Sequence, residues 1–363
     1  MSFDTGIGAY EQKATFANVP DFLREETEVA ADQQGGQEAK MKQAKSKILV
    51  SGSPEYIAAE QQKERDKDPI TGIIELHYSP PSGGEVVVLG TEHPRLYDAE
   101  DPEIKYLDKL VRAIPVGSNK VLILEGQYGD VAEVPDDPAA AFSVAGGEFG
   151  YMAAMAKQRG VEVVPAEPDP HDNAKQILAE RPDITRGELA LHYTLKSIAG
   201  IFRESSTVSL QEVAPYIHYS AGIAGSAAEG GLVNRSTSRA EVMQLDDTQR
   251  AEIEAEMPHI IRELNIEFEK IVPGETLLAL EADGRLSMRY DVSQQPVLWD
   301  PAPELSDRSP TKITEISRMD MLIRDRHTFE LVLQALGKDK EPIVVVGNSH
   351  ASTLKPAFDE VFN

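Results

Sequence analysis

Residues 85–93 read EVVVLGTEH, and residues 342–350 read PIVVVGNSH. Each stretch contains a run of β-branched and aliphatic residues, which is typical of a strand buried on both faces of a sheet. The same motif, Gly-x-x-His, follows each run, so both stretches place a histidine at the same offset from a strand. A glycine directly after a strand permits a sharp turn and a close approach to the backbone. The two stretches therefore predict two core strands, each followed by a histidine at the same distance from its end.

Strand and helix patterns alternate between these two stretches. Residues 120–124 (KVLIL) and 161–164 (VEVV) predict strands, and residues 102–113 and 147–159 carry apolar side chains at helical spacing. Alternation of this kind predicts an α/β fold with a mainly parallel sheet and crossover helices. We expect strand 120–124 to lie beside the strand of residues 86–89, because strands joined by one short crossover are usually neighbours.

The remaining segments define the predicted domain organisation. Residues 171–307 are mostly helical in pattern and predict a large helical insertion, with a hairpin around Ala282-Asp283-Gly284. A long helix is predicted for residues 309–336, and a final helix is expected from about Leu354, after a turn that contains the second histidine motif. These elements place residues 71–363 in one α/β domain.

Residues 1–70 differ in composition from the α/β domain. The segment from Arg24 to Lys47 is rich in Glu, Gln, Ala and Lys and has few large apolar residues. Such a segment cannot bury enough surface to offset its ordering entropy. We therefore predict a polar N-terminal arm, partly helical or flexible, and expect that residues 1–50 can be deleted with little change in thermal stability.

Composition and charge exclude several classes of function. The chain has 36 basic and 61 acidic residues, a net charge of −25, which disfavours a nucleic-acid partner and adsorption to anionic lipid. The absence of Cys excludes disulfides, cysteine zinc sites, iron–sulfur clusters and thiol nucleophiles. No apolar run approaches the ~18–20 residues of a membrane helix, and residues 1–6 lack signal-peptide features. The expectation is a cytoplasmic protein without a membrane partner.

Histidines and carboxylates follow each of the four core strands. Ligands bind at the carboxyl ends of strands in open parallel sheets, which is where His93, Glu125, Glu167 and His350 are expected. Imidazole and carboxylate are ligands of borderline divalent cations. We therefore predict that His93, His350 and Glu125 hold a metal ion (Mn, Co, Zn or Fe) or position the water. Glu148 or Glu167 is predicted to act as a base or to accept a hydrogen bond from a ligand.

Four more residues are predicted to contact substrate: Glu92, Arg324, Asp325 and Asn348. Arg324 and Asp325 could instead brace a ligand of the site. Several site residues also have a plainer interpretation. Either histidine alone could cap a loop, and Glu148 lies in a first helical turn, where the helix dipole favours an acid. Arg324 lies four residues after Asp320 and could form an ordinary helical ion pair. The repetition of Gly-x-x-His after two strands favours a functional site.

These residues resemble the TraB/PrgY/TIKI group of proteins, which is related to erythromycin esterases and haem-binding ChaN proteins. The resemblance rests on the two Gly-x-x-His motifs, on Glu125 after its strand, and on Gly147-Glu148 and Arg324-Asp325. It implies an α/β fold in which both motifs meet at one site. The group includes metal-dependent proteases, esterases that open a macrolide, and binders of pheromone peptides or haem. We expect the chain to depart from the membrane-bound and secreted members, because the sequence predicts neither a membrane segment nor a signal peptide.

Three functions compete on this evidence. The first is a metal-dependent hydrolase of an ester or amide in a small-molecule or peptide substrate. The alternative is a binding protein that uses the same cleft for haem or a peptide without turnover. A serine hydrolase with Ser349 as nucleophile is disfavoured, because the only histidine after Ser349 is the adjacent His350.

A shared site requires a definite geometry. Strands 86–89 and 343–346 should be parallel and close, and Glu125 should point into the same cleft as both histidines. We expect the side chains of His93 and His350 to lie within about 8 Å of each other, a margin that allows for rotamer change before substrate binds.

Overall fold

The structure of the chain is a computed structural model. It describes residues 40–81, 83–94, 96–126, 134–144, 147–202, 205–235, 242, 244–290, 301, 303 and 309–362.

A five-stranded sheet forms the centre of the fold, in the order β1-β2-β8-β3-β4. Its strands are β1 (Ile74–Tyr78), β2 (Val86–Thr91), β3 (Lys120–Leu124), β4 (Glu162–Pro165) and β8 (Glu341–Gly347). The strand pairs β2·β8, β8·β3 and β3·β4 are parallel, and β1 is an antiparallel edge strand on β2. The predicted α/β fold with a mainly parallel sheet is confirmed.

Helices cover both faces of the sheet. The described helices are α1 (Pro54–Asp66), α2 (Pro102–Ala113), α3 (Pro138–Val144), α4 (Glu148–Arg159), α5 (Pro170–Glu180), α6 (Arg186–Ile201), α7 (Leu210–Gly222), α8 (Asp247–Glu269), α9 (Lys312–Leu336) and α10 (Asn348–Phe362). One face packs against α2 and α4, and the other packs against α9 and α10. Leu89 belongs to the first core and Val88 to the second, so the unbroken apolar run of β2 is buried on both sides.

The position of β8 differs from the expectation about neighbouring strands. Strand β3 does not pair with β2, because β8 lies between them and pairs in parallel with both. Strands joined by one crossover are neighbours only about two-thirds of the time. Here β8 takes the central position in the sheet. Its Gly-x-x-His motif therefore begins between the ends of β2 and β3, and Glu125 directly follows β3.

The inserted segment has a core of its own. Helices α5 to α8 pack around buried side chains such as Leu191, Ile217 and Leu264, together with the first turns of α9. A small antiparallel sheet lies beside them, formed by β5 (Thr207–Ser209), β6 (Leu278–Leu280) and β7 (Arg285–Met288). The predicted hairpin is confirmed, since β6 and β7 pair on either side of Gly284, which has a positive φ of 78°.

Residues 40–66 pack on the α/β body. Ala44 and Ile48 are buried in the core that α9 and α10 share with the sheet, and the Leu49 N–H donates to the carbonyl of Thr353. Helix α1 begins with a Ser53 cap, and Tyr56 in its first turn is buried. These residues therefore belong to the packed domain, and the rest of the predicted arm, residues 1–39, lies outside the described residues.

Candidate active site

The two Gly-x-x-His motifs begin side by side. In the parallel pairing of β2 with β8, Gly90 is opposite Val346 and Thr91 is opposite Gly347. The predicted parallel and adjacent arrangement of these strands is confirmed. The two motifs continue differently, since residues after Thr91 form a loop, whereas α10 begins directly at Asn348. The predicted turn before a helix at Leu354 is wrong, and His350 lies in the first turn of α10.

Both motif glycines are required by close packing between the motifs. A Cβ atom on Gly90 would lie 2.9 Å from the Asn348 Cα and 2.6 Å from its Oδ1. A Cβ atom on Gly347 would lie 2.5 Å from the His93 Nε2. Carbon atoms essentially never approach other heavy atoms this closely without a shift. Each glycine therefore makes room for the other motif, which explains why both motifs begin with this residue.

His93 is oriented by a buried glutamate. Its Nδ1 lies 2.6 Å from Oε1 of Glu148, and the same oxygen accepts a hydrogen bond of 2.9 Å from the Thr91 hydroxyl. Glu148 is in the first turn of α4 and is 1% exposed. Burial opposes the charged imidazolium, but the hydrogen bond and charge of Glu148, with Glu125, raise the pKa of His93 above its usual value. A carboxylate can only accept here, so Nδ1 carries the proton.

His350 is held in the same way from the other side of the sheet edge. Its Nδ1 donates to Oδ1 of Asp325 at 2.5 Å, and the Thr353 hydroxyl donates to the other oxygen of Asp325 at 2.8 Å. The His350 Nε2 lies 3.7 Å from Oε1 of Glu125. Burial lowers the pKa of His350, but the charges of Asp325 and Glu125 outweigh it, so the pKa is raised.

Glu125 lies between the two histidines as an ionised carboxylate. Its Oε2 accepts a hydrogen bond of 2.6 Å from the Gly347 N–H, and its Oε1 accepts one of 3.0 Å from Arg324. Burial raises the pKa of a carboxyl group, but the charges of His350, Arg324 and His93 lower the pKa of Glu125 to about 2. Glu125 is therefore charged at any physiological pH.

Arg324 links two of the predicted site residues. Its guanidinium donates to Glu125 and also to Glu167, which follows β4. The buried carboxylates raise the pKa of Arg324 against the effect of burial. Arg324 and Asp325 are thus bonded to protein groups, and neither borders the cleft in the described part of the chain. Arg324 and Asp325 therefore position Glu125 and His350, and their contact with substrate stays a prediction.

The histidines open onto a cleft of about 340 Å³. His93 is half exposed there, whereas the side chain of His350 is 12% exposed.

Of the predicted substrate contacts, Glu92 and Asn348 border this cleft, and Glu92 is paired with Lys67 at 2.6 Å. Asn348 donates to the carbonyl of Gly72 and so connects α10 to the segment before β1. The structure thus brings all the predicted site residues together at one sheet edge.

Several residues of the site were not predicted from the sequence. Thr91 and Thr353 complete the bonding of the buried carboxylates, and Lys63 of α1 donates to the Ser349 hydroxyl at 3.1 Å. Glu103 near the start of α2 accepts from the backbone N–H of Glu92 at 3.1 Å. Only Thr91 carried a signal, since it lies within a Gly-x-x-His motif; an acid near a helix start, as at Glu103, is ordinary.

The predicted metal ligands fit an ion only in part. Each histidine donates Nδ1–H to a carboxylate, which is the usual support of a metal-bound imidazole. Glu125, the third predicted ligand, has one oxygen bonded to Arg324 and the other to Gly347. Among the described residues, no group of three or more His, Asp or Glu side chains is arranged to hold a metal ion. Three protein ligands are usual in a catalytic zinc site, and the bound ion stays a prediction.

Comparison with known proteins does not assign the chain to a family: no protein-family model, curated protein or solved structure matches it. The resemblance to the TraB/PrgY/TIKI group therefore rests on the sequence motifs alone. Among the described helices, none is long and apolar enough to cross a membrane.

Proposed function

We propose that the protein is a hydrolase that cleaves an ester or amide bond in a small-molecule or peptide substrate. One observation carries the proposal. Two histidines that follow adjacent strands each donate Nδ1–H to a buried carboxylate, and both border the same cleft as the ionised Glu125. Pairs of this kind orient an imidazole for proton transfer, which is the central requirement of ester and amide hydrolysis.

His93 is the residue best suited to act as the general base. Because Glu148 holds the proton on Nδ1, the neutral ring has its lone pair on Nε2. His93 is half exposed at the cleft, so a water molecule can reach its imidazole ring. The Nε2 would take a proton from the water as its oxygen attacks the carbonyl carbon of the substrate.

His350 is suited to stabilise negative charge on the substrate. Asp325 and Glu125 favour its charged form, so it remains an imidazolium to a higher pH than a free histidine. A cation at the edge of the cleft stabilises the negative charge that develops on the carbonyl oxygen in the transition state. Arg324 keeps Glu125 ionised and in place, and Glu125 in turn maintains the charge of His350.

Binding without turnover has less support. A haem needs an apolar slot, but the cleft is bordered by polar side chains such as Lys63, Lys67 and Glu92. The serine hydrolase has less support too, since Lys63, which meets the Ser349 hydroxyl, is paired with Glu60 and donates to that hydroxyl. The metal-dependent form of the reaction stays a prediction. In the structure, both oxygens of Glu125 are bonded to protein groups, Arg324 and the Gly347 N–H.

The experiment is a panel of aryl and alkyl esters and peptide amides incubated with the purified full-length protein. We expect hydrolysis of at least one class. Elemental analysis of the same sample tests the metal prediction, and a haem titration tests the binding alternative. Stoichiometric haem binding with no hydrolysis of any ester or amide would contradict the proposal.

A further inference from the structure

A second and larger cavity adjoins the histidine cleft. It has a volume of about 630 Å³ and lies between the loop after β2 and the segment that connects α1 to β1. His93, Lys67 and Glu92 border both cavities. A substrate whose carbonyl carbon lies at His93 therefore has room on this side for its leaving group.

Glu103 borders the larger cavity and is unusual among the acids there. It is 5% exposed, whereas Glu64 on the same cavity is largely exposed and paired with Lys67. Oε2 of Glu103 accepts from the Glu92 N–H, and Oε1 is buried without a hydrogen-bond partner in the described part of the chain. A buried carboxylate with an unsatisfied oxygen is costly, so this environment favours the protonated acid.

We propose that Glu103 is a catalytic residue of this site, a general acid that gives its proton to the leaving oxygen or nitrogen of a substrate bound between Glu103 and His93. This inference rests on the proposed hydrolase function and adds a role that the histidines leave unfilled. His93 removes a proton from water and His350 faces Glu125, whereas Glu103 borders the cavity on the leaving-group side.

The electrostatic surroundings of Glu103 agree with this role. Burial raises the pKa of Glu103 most strongly, and the nearby charges of Glu148 and Asp101 raise it further. The Glu92 N–H and the charge of His93 act in the opposite direction, and the resulting pKa is about 7. A general acid with a pKa near the working pH is both protonated and able to release its proton.

The reaction balances without any further reagent. The water oxygen forms a bond to the carbonyl carbon, and the bond from that carbon to the leaving oxygen or nitrogen breaks. His93 Nε2 takes one proton from the water, and Glu103 gives one proton to the leaving atom. The proton on His93 then returns to Glu103 through solvent, so both groups regain their starting states and one water is consumed.

The test compares Glu103→Gln with the wild type on two ester series. Alkyl esters need their leaving oxygen protonated, whereas nitrophenyl esters do not. We expect kcat for alkyl esters to fall by about 100-fold or more, the usual size of general acid catalysis, and kcat for nitrophenyl esters to change by less than about 3-fold. The matched control is Glu100→Gln, which alters an exposed acid just before α2 and should leave both rates unchanged.

An equal loss on both series would overturn the proposal, because it would show a structural role for Glu103. A second measurement does not depend on turnover. Between about pH 5 and 7, Glu103 keeps its proton in the native state of the wild type and loses it in the unfolded chain. Raising the pH through this range should therefore lower the urea midpoint of the wild type relative to that of Glu103→Gln. A pH-independent difference would show that Glu103 is ionised at neutral pH and cannot be the acid. Absence of hydrolysis by the wild type, with the predicted pH dependence of stability, would contradict the hydrolase instead.

Discussion

Two buried carboxylates decide which nitrogen of each site histidine is available for chemistry. Glu148 and Asp325 each accept from Nδ1, so the Nε2 atoms are left for the cleft side. The two pairs differ in access, since His93 is half exposed and His350 is nearly buried. This difference separates a histidine that can exchange protons with water from one that mainly carries charge.

The Glu148→Gln variant tests this division. Glu148 raises the pKa of His93, so the wild-type rate on nitrophenyl esters, which do not need the Glu103 proton, should increase with pH through a midpoint above 6.5, where the base loses its proton. Gln removes the charge but keeps a hydrogen-bond acceptor, so the midpoint should move down by about one pH unit and kcat should fall by about 10-fold or more. NMR titration of His93 measures the same shift without turnover. An unchanged His93 pKa in the variant would contradict the assigned orientation.

The position of each histidine depends on how β2, β8 and α10 meet. Parallel pairing sets the two motifs in register, and the glycines allow the loop after β2 to lie against the start of α10. The sequence predicted these strands well, because each apolar run is buried on both faces and has no competing helical spacing. It did not predict that β8 lies between β2 and β3, since that pairing joins segments far apart in the chain.

Sequence reasoning also found most of the site but not its internal bonding. His93, Glu125 and His350 were predicted from their positions just after strands, because the carboxyl ends of parallel strands lie at one edge of the sheet. The predicted roles of Arg324 and Asp325 depended on which groups they meet, and those groups come from different strands. Such long-range contacts leave no periodicity in the sequence, so they could not be predicted from it.

The two motif glycines should respond differently to substitution by alanine. In Gly90→Ala the new Cβ would meet the Asn348 Cα, which belongs to helix backbone and cannot move alone. We expect this variant to lose about 1–3 kcal/mol of unfolding free energy. In Gly347→Ala the Cβ would meet the imidazole of His93, a side chain that can rotate away. That variant should keep more of its stability but lose hydrolysis.

Urea denaturation and ester hydrolysis, measured on both glycine variants, check this contrast. Equal stability of the two variants, with full activity of Gly347→Ala, would show that the motifs do not pack as described.

The fold as a whole is held together by contacts that cross its segments. Asp320 of α9 is buried and accepts hydrogen bonds from Asn173 of α5 and from Tyr193 and Lys196 of α6, which ties the inserted segment to the α/β body. On the opposite side, Ile48 packs in the core that contains α10. The packed domain therefore begins well before β1.

Ile48→Ala measures how much the segment before α1 contributes. Ile48 is 3% exposed, so its truncation should lower the unfolding free energy by about 2–4 kcal/mol, as for other buried aliphatic side chains. Val50→Ala is the matched control, because Val50 is 44% exposed and should change stability by less than about 0.5 kcal/mol. Equal stabilities of the two variants would mean that residues 40–50 are dispensable, as their composition alone had suggested.

The hydrolase itself is tested most directly by the rate of ester hydrolysis in a His93→Gln variant. We predict a fall in kcat of about 100-fold or more with KM within a few-fold of wild type, because the base is lost while the cleft remains. His259→Gln, which alters a half-exposed histidine on α8 outside the site, should keep the wild-type rate. Wild-type hydrolysis by the folded His93→Gln variant would contradict the assignment of this site as the catalytic centre.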